Sequence, residues 1–209
     1  MNNAVNFLPL DTSNLHQECL GVVLAGGLSS RMGCNKAALV RDNKSLLSML
    51  DFSKQTLHRS GVHNIVVSGD NYDIPDKLKK SGPVGGILSV LAKYPHVKSL
   101  LILPVDLPFM NARALTNLRV KGELSQKATY YDGHNIPLYL PNNAYLALFL
   151  AQAFTHINNV KNEKLKNGPS IKALLKQIPH QAIQSHDETI LFNSNTPEQW
   201  QQAKQKLNF

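Results

Sequence analysis

The chain has 209 residues, of which 43% are hydrophobic and 7% aromatic, and its formal net charge is +8. This length suits one domain, and the hydrophobic content is enough for a sizeable core. No apolar run reaches the roughly 18 residues that span a bilayer, and no basic run is interleaved with aromatic residues. We therefore expect neither a membrane nor a nucleic-acid partner, and we interpret the charge as a field that attracts small anionic molecules.

Residues 1–18 lack the basic segment followed by an apolar segment that marks a secretory signal. We expect them to form a flexible extension before a single domain at 19–209. The two cysteines, Cys19 and Cys34, are too few for a disulfide framework. We expect them to be thiols, and we expect the protein to be cytoplasmic.

Apolar runs alternate with helical patterns along the chain, which predicts a parallel sheet with crossover helices. The turn signal Asp132-Gly133 lies between two apolar segments and predicts a hairpin. The fold class is therefore expected to be three-layer, Rossmann-like α/β, with a mostly parallel sheet and an antiparallel excursion. The predicted strands are 20–24, 64–68, 99–103, 127–131 and 136–140, and the predicted helices are 45–60, 83–91, 143–157, 170–177 and one opened by a capping box at Thr196.

The first predicted strand ends in a glycine turn that leads to a cationic loop. Glycine lets the backbone approach a ligand closely, and free N–H groups there can bind phosphate oxygens. The spacing matches neither the P-loop nor the dinucleotide-binding pattern. We expect a nucleoside triphosphate site with positive charge from Arg31 and Lys36; the alternative is a tight turn with two surface cations. The backbone of this site is Leu24, Ala25, Gly26 and Gly27.

A carboxylate follows the predicted strand 99–103, because Asp106 lies between Pro104 and Pro108. Ligands of open α/β sheets bind at the carboxyl ends of the strands. A carboxylate that faces a triphosphate needs a divalent cation between them, and Mg²⁺ takes carboxylate and phosphate oxygens together. We predict that Asp106 binds Mg²⁺ and the nucleotide; the alternative is that it caps a helix near Asn111.

These segments resemble the molybdenum cofactor guanylyltransferase family. The motif LAGGxSxRMGxxK, which ends at Lys36, resembles the family's N-terminal signature. The Pro-x-Asp-x-Pro segment around Asp106 resembles its metal loop, and 191–198 looks like its F-x-N-x-N-T-P-E segment. Asp76 and the glycines at 82–86 resemble a further family segment. The matches follow the family order along nearly the whole chain.

The resemblance implies transfer of GMP from GTP to the terminal phosphate of molybdopterin cofactor, with release of pyrophosphate. It implies that Arg31, Lys36 and Asp106 are catalytic and that Mg²⁺ is the metal. GTP and molybdopterin cofactor are then the partners. Transient contact with proteins that deliver or accept the cofactor is left open.

The resemblance also extends the nucleotide site to Ser68, Asp76 and Gly82, where Asp76 could accept hydrogen bonds from a guanine edge. Asp132 and Asn195 are placed on the acceptor side. On the residues alone, Asp76 could equally belong to a plain loop, and Asn195 could be a turn residue before a capped helix.

Several positions depart from the family pattern. Asn35 stands where an Asp usually precedes the loop lysine, and Ser68 stands where an Asn usually lies near the base. The segment 67–76 is shorter than in the family, and Val105, expected to face the core, replaces a common Cys. Three alternatives stay open: a cytidylyltransferase for the same cofactor, a sugar-phosphate nucleotidyltransferase, and a catalytically silent nucleotide-binding regulatory protein.

Overall fold

The structure, a computed structural model, describes residues 19–26, 35–41, 46–78, 81–159 and 168–207. The expected extension at 1–18 lies outside these ranges. Six strands form one sheet in the order β2-β1-β3-β5-β4-β6. The strands are β1 Cys19–Leu24, β2 Ile65–Ser68, β3 Ser99–Pro104, β4 Ala128–Tyr131, β5 Leu138–Pro141 and β6 His180–Ile183. The helices are α1 Met49–Arg59, α2 Gly82–Lys93, α3 Ala112–Ser125, α4 Ala144–Asn159, α5 Ile171–Leu175 and α6 Pro197–Leu207.

The direction of the strands decides where ligands can bind. β5 runs antiparallel to both of its neighbours, β3 and β4, whereas the pairings β1–β2, β1–β3 and β4–β6 are parallel. Because β5 reverses against both neighbours, β4 points the same way as β3. The carboxyl ends of β1, β2, β3, β4 and β6 therefore meet at one edge, called the carboxyl edge below. The mostly parallel sheet with one antiparallel excursion is confirmed.

Helices cover both faces of this sheet. Alternate residues of β3 enter two separate cores: Leu100 and Ile102 pack with α2, α4 and α5, and Leu101 and Leu103 pack with α1 and α3. Since side chains of a strand alternate between faces, a strand covered on both sides must be apolar throughout. Each fully buried Leu or Ile contributes about 1.5–3 kcal/mol. The predicted three-layer arrangement is confirmed.

Helix α1 begins later than the predicted residue 45. Its N-cap is Ser48, whose hydroxyl accepts from the N–H of Asp51 at 3.0 Å. Leu46 precedes the cap, has a φ of 52° and is 73% exposed. The chain around Leu46 does not turn into the helix because it pairs with the preceding segment, where the N–H of Arg41 donates to the carbonyl of Leu47 at 2.8 Å. The predicted end of this helix is confirmed, because Gly61 follows α1 and has a φ of 87°.

Strand β6 was not predicted from the sequence. It runs parallel to β4 at the end of the sheet's strand order, and within it only Ile183 is buried. Its attachment uses polar groups as well as the backbone. The side-chain amide of Gln181 donates to the hydroxyls of Ser125 at 2.8 Å and Thr129 at 3.0 Å. Because polar contacts hold this strand, its sequence contains no apolar run from which the strand could be predicted.

Among the helices formed by the described residues, none combines the length and the apolar character needed to cross a membrane.

Candidate active site

Lys36 lies in a short 3₁₀ turn, Lys36–Ala38, that Asn35 caps. The side-chain oxygen of Asn35 accepts from the N–H of Ala37 at 3.0 Å. Asn and Asp are both good N-caps, because either supplies an oxygen to an N–H that lacks an intrahelical partner. The presence of Asn35 in place of the family's usual Asp therefore keeps the cap and removes one negative charge. The amide of Asn35 also donates to the Tyr72 hydroxyl at 3.1 Å.

The ammonium of Lys36 joins three parts of the chain that are far apart in sequence. Its Nζ donates to Asp106 Oδ2 at 3.0 Å and to Asn195 Oδ1 at 2.7 Å. The side chains of Lys36 and Asp106 are only 15% and 16% exposed. Partial burial weakens solvent screening, so the attraction between these two charges is stronger than in a surface ion pair. The structure thus brings together three predicted site residues.

The loop that carries Asp106 is fixed from both sides. The N–H of Val105 donates to the carbonyl of Leu24 at 3.3 Å, which ties the loop to the end of β1. The N–H and the hydroxyl of Ser194 both donate to the carbonyl of Asp106, at 2.9 and 3.1 Å. Val105 is 6% exposed and faces the core, as expected. The Asp106 carboxylate therefore has a defined position at the carboxyl edge.

One oxygen of this carboxylate lacks a partner. Oδ2 bonds Lys36, but Oδ1 is buried and has no hydrogen bond to any residue that the structure describes. A buried oxygen without a partner costs free energy, and a negative one costs more. A cation at Oδ1 would remove that cost, so this side chain fits the metal role predicted for it.

The helix-cap alternative for Asp106 is wrong. Asn111 is the N-cap of α3, and its side-chain oxygen accepts from the N–H of Ala114 at 2.9 Å. Asp106 lies five residues earlier in the chain and makes no such contact.

A protein-only metal cage does not occur in the described part of the chain, where no three His, Cys, Asp or Glu side chains gather around one point. A cation on Asp106 would need further oxygens from phosphates and water. Mg²⁺ is typically bound this way, through one or two carboxylates and substrate phosphates.

Asn195 is fixed by the start of helix α6. The side-chain oxygen of Gln199 accepts from the N–H groups of Asn195 at 2.8 Å and Thr196 at 3.1 Å. The N–H of Gln199 in turn donates to the Thr196 hydroxyl at 3.3 Å, which completes the predicted capping box. Trp200, 6% exposed, packs in one cluster with Met49 of α1. The Asn195 amide is therefore presented to Lys36 by an anchored helix.

The glycine turn after β1 is joined to the end of β2. The N–H groups of Ala25 and Gly26 both donate to the carbonyl of Ser68, at 2.9 and 3.0 Å. We expected the backbone from Leu24 to Gly27 to bind phosphate. In this conformation the N–H groups of Ala25 and Gly26 are already engaged, so they are not free for that role. Gly27 and Arg31 lie outside the described residues.

The predicted base side forms a compact group next to this turn. A Cβ added to Gly86 would lie 2.7 Å from Ser68 Oγ and 3.7 Å from Asp76 Oδ1, and one added to Gly26 would lie 3.7 Å from Asp76 Oδ2. Asp76 therefore lies between the glycine turn and the first part of α2. Burial, and secondarily the charge of Asp70, raise the pKa of the Asp76 carboxyl.

Gly82 opens α2 with a φ of 65°, a backbone conformation that favours glycine. Apart from its chain neighbours, a Cβ there would meet no atom of the described residues within 4 Å. Among those residues, the backbone conformation and not packing requires glycine at this position.

Asp132 follows β4 at the carboxyl edge but does not join the Lys36 cluster. Its Oδ2 accepts from the side-chain amide of Gln184 at 3.2 Å. β4 lies two places from β3 in the sheet, so the two strand ends are roughly 10 Å apart.

A cavity of about 460 Å³ adjoins Asp132, since Tyr131 and Gln184 line it together with Arg113 and His186.

Three contacts were not predicted from the sequence, whereas the predicted capping box does include Gln199. Ser194 lies within a motif that the sequence does show, but nothing in that motif points to its contact with the Asp106 carbonyl. Tyr72 gave no signal, because its contact with Asn35 depends on the path of the loop after β2. Gly69 was also missed, although a Cβ there would lie 2.8 Å from the backbone nitrogen of Gly26.

The chain is similar in sequence to known proteins. Residues 21–177 match the family described as MobA-like NTP transferase domain. The chain is 31% identical, over 89% of its length and 94% of the relative's, to a molybdenum cofactor guanylyltransferase of Xanthomonas euvesicatoria pv. vesicatoria.

Two solved structures share the fold at low identity. Molybdopterin-guanine dinucleotide biosynthesis protein A from Archaeoglobus fulgidus matches with a TM-score of 0.64 and 19% identity, over 90% of this chain and 98% of that one. Rv0371C from Mycobacterium tuberculosis H37Rv, in complex with manganese, matches with a TM-score of 0.54 and 12% identity, over 90% of this chain and 98% of that one.

Proposed function

Because this chain belongs to the family of MobA-like NTP transferases, we propose that it transfers GMP from GTP to molybdopterin cofactor and releases pyrophosphate. The chain is a nucleotidyltransferase by family. The choice of guanine and of this acceptor is supported by the similarity to molybdenum cofactor guanylyltransferase along nearly the whole of both chains.

One observation carries the proposal. The Lys36 ammonium lies 3.0 Å from Asp106 Oδ2 at the carboxyl edge, while Asp106 Oδ1 is buried with no partner among the described residues. A fixed cation beside a carboxylate with one unpartnered oxygen suits a substrate that brings both phosphates and a metal ion. Transfer of a nucleotidyl group from a triphosphate uses such a substrate.

The residues then have separate tasks. Asp106 would hold a divalent cation, Mg²⁺ in our proposal, which would neutralise charge on the phosphates and orient them. Lys36 stabilises negative charge that develops on the phosphates, and Arg31 is proposed to do the same. A phosphate oxygen of the acceptor attacks the α-phosphorus in line, and the bond to the β-phosphate oxygen breaks. The acceptor phosphate is already ionised, so no general base is required.

Base recognition is assigned to the group around Asp76. Its carboxylate faces the glycine turn and the start of α2. We propose that Asp76 accepts hydrogen bonds from the guanine edge, and that Ser68 and Gly82 line the same subsite.

The acceptor is assigned to the other half of the carboxyl edge. Asp132 and Asn195 flank it. The cavity beside Asp132 contains Arg113 and His186, which can bind a phosphate group, and also the carboxylate of Asp187. Transient contact with proteins that deliver or receive the cofactor would take place on this side.

The test is pyrophosphate release by the purified protein with Mg²⁺, molybdopterin cofactor and each of GTP, CTP, ATP and UTP, with product masses measured. We expect turnover with GTP and a product heavier than the acceptor by one GMP unit. Faster turnover with CTP would replace the proposal with a cytidylyltransferase. Nucleotide binding without pyrophosphate release would replace it with a silent nucleotide-binding protein.

A further inference from the structure

We propose that Lys36, held in place by Asn195, keeps Asp106 neutralised until nucleotide arrives, so that this carboxylate accepts a divalent cation only together with a triphosphate. The inference rests on the proposed function, because it concerns the metal-binding carboxylate of that site. It assigns to Lys36 a role before catalysis and to Asn195 a role in positioning Lys36.

Lys36 is held in place on both sides. Its Nζ donates to Asp106 Oδ2 at 3.0 Å and to Asn195 Oδ1 at 2.7 Å. Asn195 is itself fixed through the bond from its N–H to Gln199 at 2.8 Å. A surface lysine would move among many rotamers, whereas this ammonium has two oriented acceptors and belongs to a side chain that is only 15% exposed.

The charges determine what can bind next. Lys36 and Asp106 together have a net charge of zero, so the pair does not attract a free divalent cation. A cation at Asp106 Oδ1 would share one carboxylate with the ammonium, and like charges at such distances repel strongly where solvent screening is reduced. The cation would also lose part of its hydration shell. Metal binding without nucleotide is therefore disfavoured.

A triphosphate reverses this balance. Its several negative charges give Lys36 new partners and supply the metal with the additional oxygen ligands that the described protein side chains do not provide. Metal and nucleotide then each raise the affinity of the other by the same factor, since coupling between two ligands is reciprocal. The site resists occupation by metal alone and fills when both components are present.

The experiment is a Mn²⁺ titration of the nucleotide-free protein, followed by the electron paramagnetic resonance signal of free Mn²⁺. We expect weak binding by the unmodified protein and binding at least about tenfold tighter by Lys36→Met, which removes the repelling charge. Lys36→Arg keeps the charge and is expected to bind as weakly as the unmodified protein. Lys98→Met removes a lysine just before β3, at the opposite edge of the sheet, and is expected to change nothing.

The double variant Lys36→Met with Asp106→Asn is expected to lose the gain, which assigns it to this carboxylate. Circular dichroism checks that each variant is folded. Tight Mn²⁺ binding by the unmodified protein, or no gain in folded Lys36→Met, would overturn the inference; so would an equal gain in Lys98→Met. If GTP turnover is normal and these results are negative, only the inference fails; if the predicted gain is seen without turnover, only the proposed function fails.

Discussion

Ser194 donates two hydrogen bonds, from its N–H and its hydroxyl, to the carbonyl oxygen of Asp106, at 2.9 and 3.1 Å. This contact joins the loop after β3 to the segment that precedes α6. Because Asn195 is the next residue, the same contact sets the distance between the Asp106 carboxylate and the Asn195 amide. Lys36 can therefore bond both at once.

Replacing Asp106 by Asn is expected to remove most Mg²⁺-dependent turnover while the fold is kept. Asn preserves the size of the side chain but not the charge that would hold the metal. Loss of one preorganised charge-stabilising group typically lowers kcat by roughly 10²–10³, which a pyrophosphate-release assay measures. Glu123→Gln, which breaks a partly exposed ion pair with Arg119 on α3, is the control and should leave kcat unchanged. Near-normal release by the Asn variant at saturating Mg²⁺ would contradict the metal role.

Replacing Lys36 by Ala is expected to weaken GTP binding more than GMP binding. Lys36 follows the glycine turn and is proposed to reach the phosphates beyond the α-phosphate, which GMP lacks. Calorimetry with both nucleotides measures the two losses, and Lys98→Ala is the matched control. Equal losses for GTP and GMP would place Lys36 elsewhere on the nucleotide.

Replacing Asp76 by Ala is expected to reduce the preference for GTP over CTP and ATP. A guanine edge offers two N–H groups to a carboxylate, and a cytosine edge does not. Sites built on such hydrogen bonds discriminate by up to about 10⁴–10⁵ in favourable cases. The ratio of kcat/KM values for GTP and CTP is the measurement. Glu123→Gln, the control used for Asp106, should keep the ratio; an unchanged ratio in Asp76→Ala would remove Asp76 from base recognition.

The raised pKa of Asp76 predicts a pH-dependent effect on stability. A carboxyl with a higher pKa in the folded state resists ionisation there, so its ionisation lowers stability as the pH rises above its ordinary value of 3.8. Asp76→Asn should therefore increase the free energy of unfolding near pH 7, and the gain should shrink as the pH falls toward 3.8. Urea denaturation at several pH values measures this.

Asp187 supplies the comparison of opposite sign for that series. Hydrogen bonds from the hydroxyl and N–H of Thr189 lower the pKa of its carboxyl. Its ionisation therefore favours the folded state, and Asp187→Asn should not stabilise the protein at neutral pH. A gain in Asp76→Asn that grew on acidification would contradict the assignment.

Replacing Gly86 by Ala is expected to destabilise the protein, and Ser68→Ala is expected to restore much of the loss. The new Cβ would lie 2.7 Å from Ser68 Oγ, and the next nearest atom of the described residues outside the helix, Leu24 Cδ2, would lie at 3.5 Å. Overpacking of this kind typically costs about 1–3 kcal/mol. A double-mutant cycle in urea isolates the coupling. Additive effects of the two changes would show that the contact does not limit this position.

The parts of the fold that were predicted correctly are those whose signals lie within a short stretch of sequence. β1 and β3 are buried on both faces, so their apolar runs are continuous and their ends are clear in the sequence. The position of Asp106 at the carboxyl edge was predicted correctly because this residue follows the end of β3 closely. The starts of α5 and α6 could also be predicted from the sequence, since Ser170 and Thr196 are typical N-cap residues that precede helical patterns.

The remaining features depend on contacts between distant segments. Leu46 fits a helical repeat, but backbone pairing with residues 39–41 removes it from α1. β6 is attached by Gln181 and not by apolar burial. Nothing in the sequence indicates a partner for the N–H groups of Ala25 and Gly26, yet the carbonyl of Ser68 accepts from both. A local pattern cannot reveal such partners.

The bond between Lys36 and Asn195 spans 159 positions of the chain. During synthesis, Lys36 and Asp106 leave the ribosome well before Asn195 is added. At about 5–20 residues per second, the interval between Asp106 and Asn195 is roughly 4–18 s. β1 and β3 can pair in that time, but the lysine has only one of its two acceptors. This cluster is therefore completed only after Asn195 has been added, and a nascent chain that ends before Asn195 would contain the ion pair without the amide that positions it.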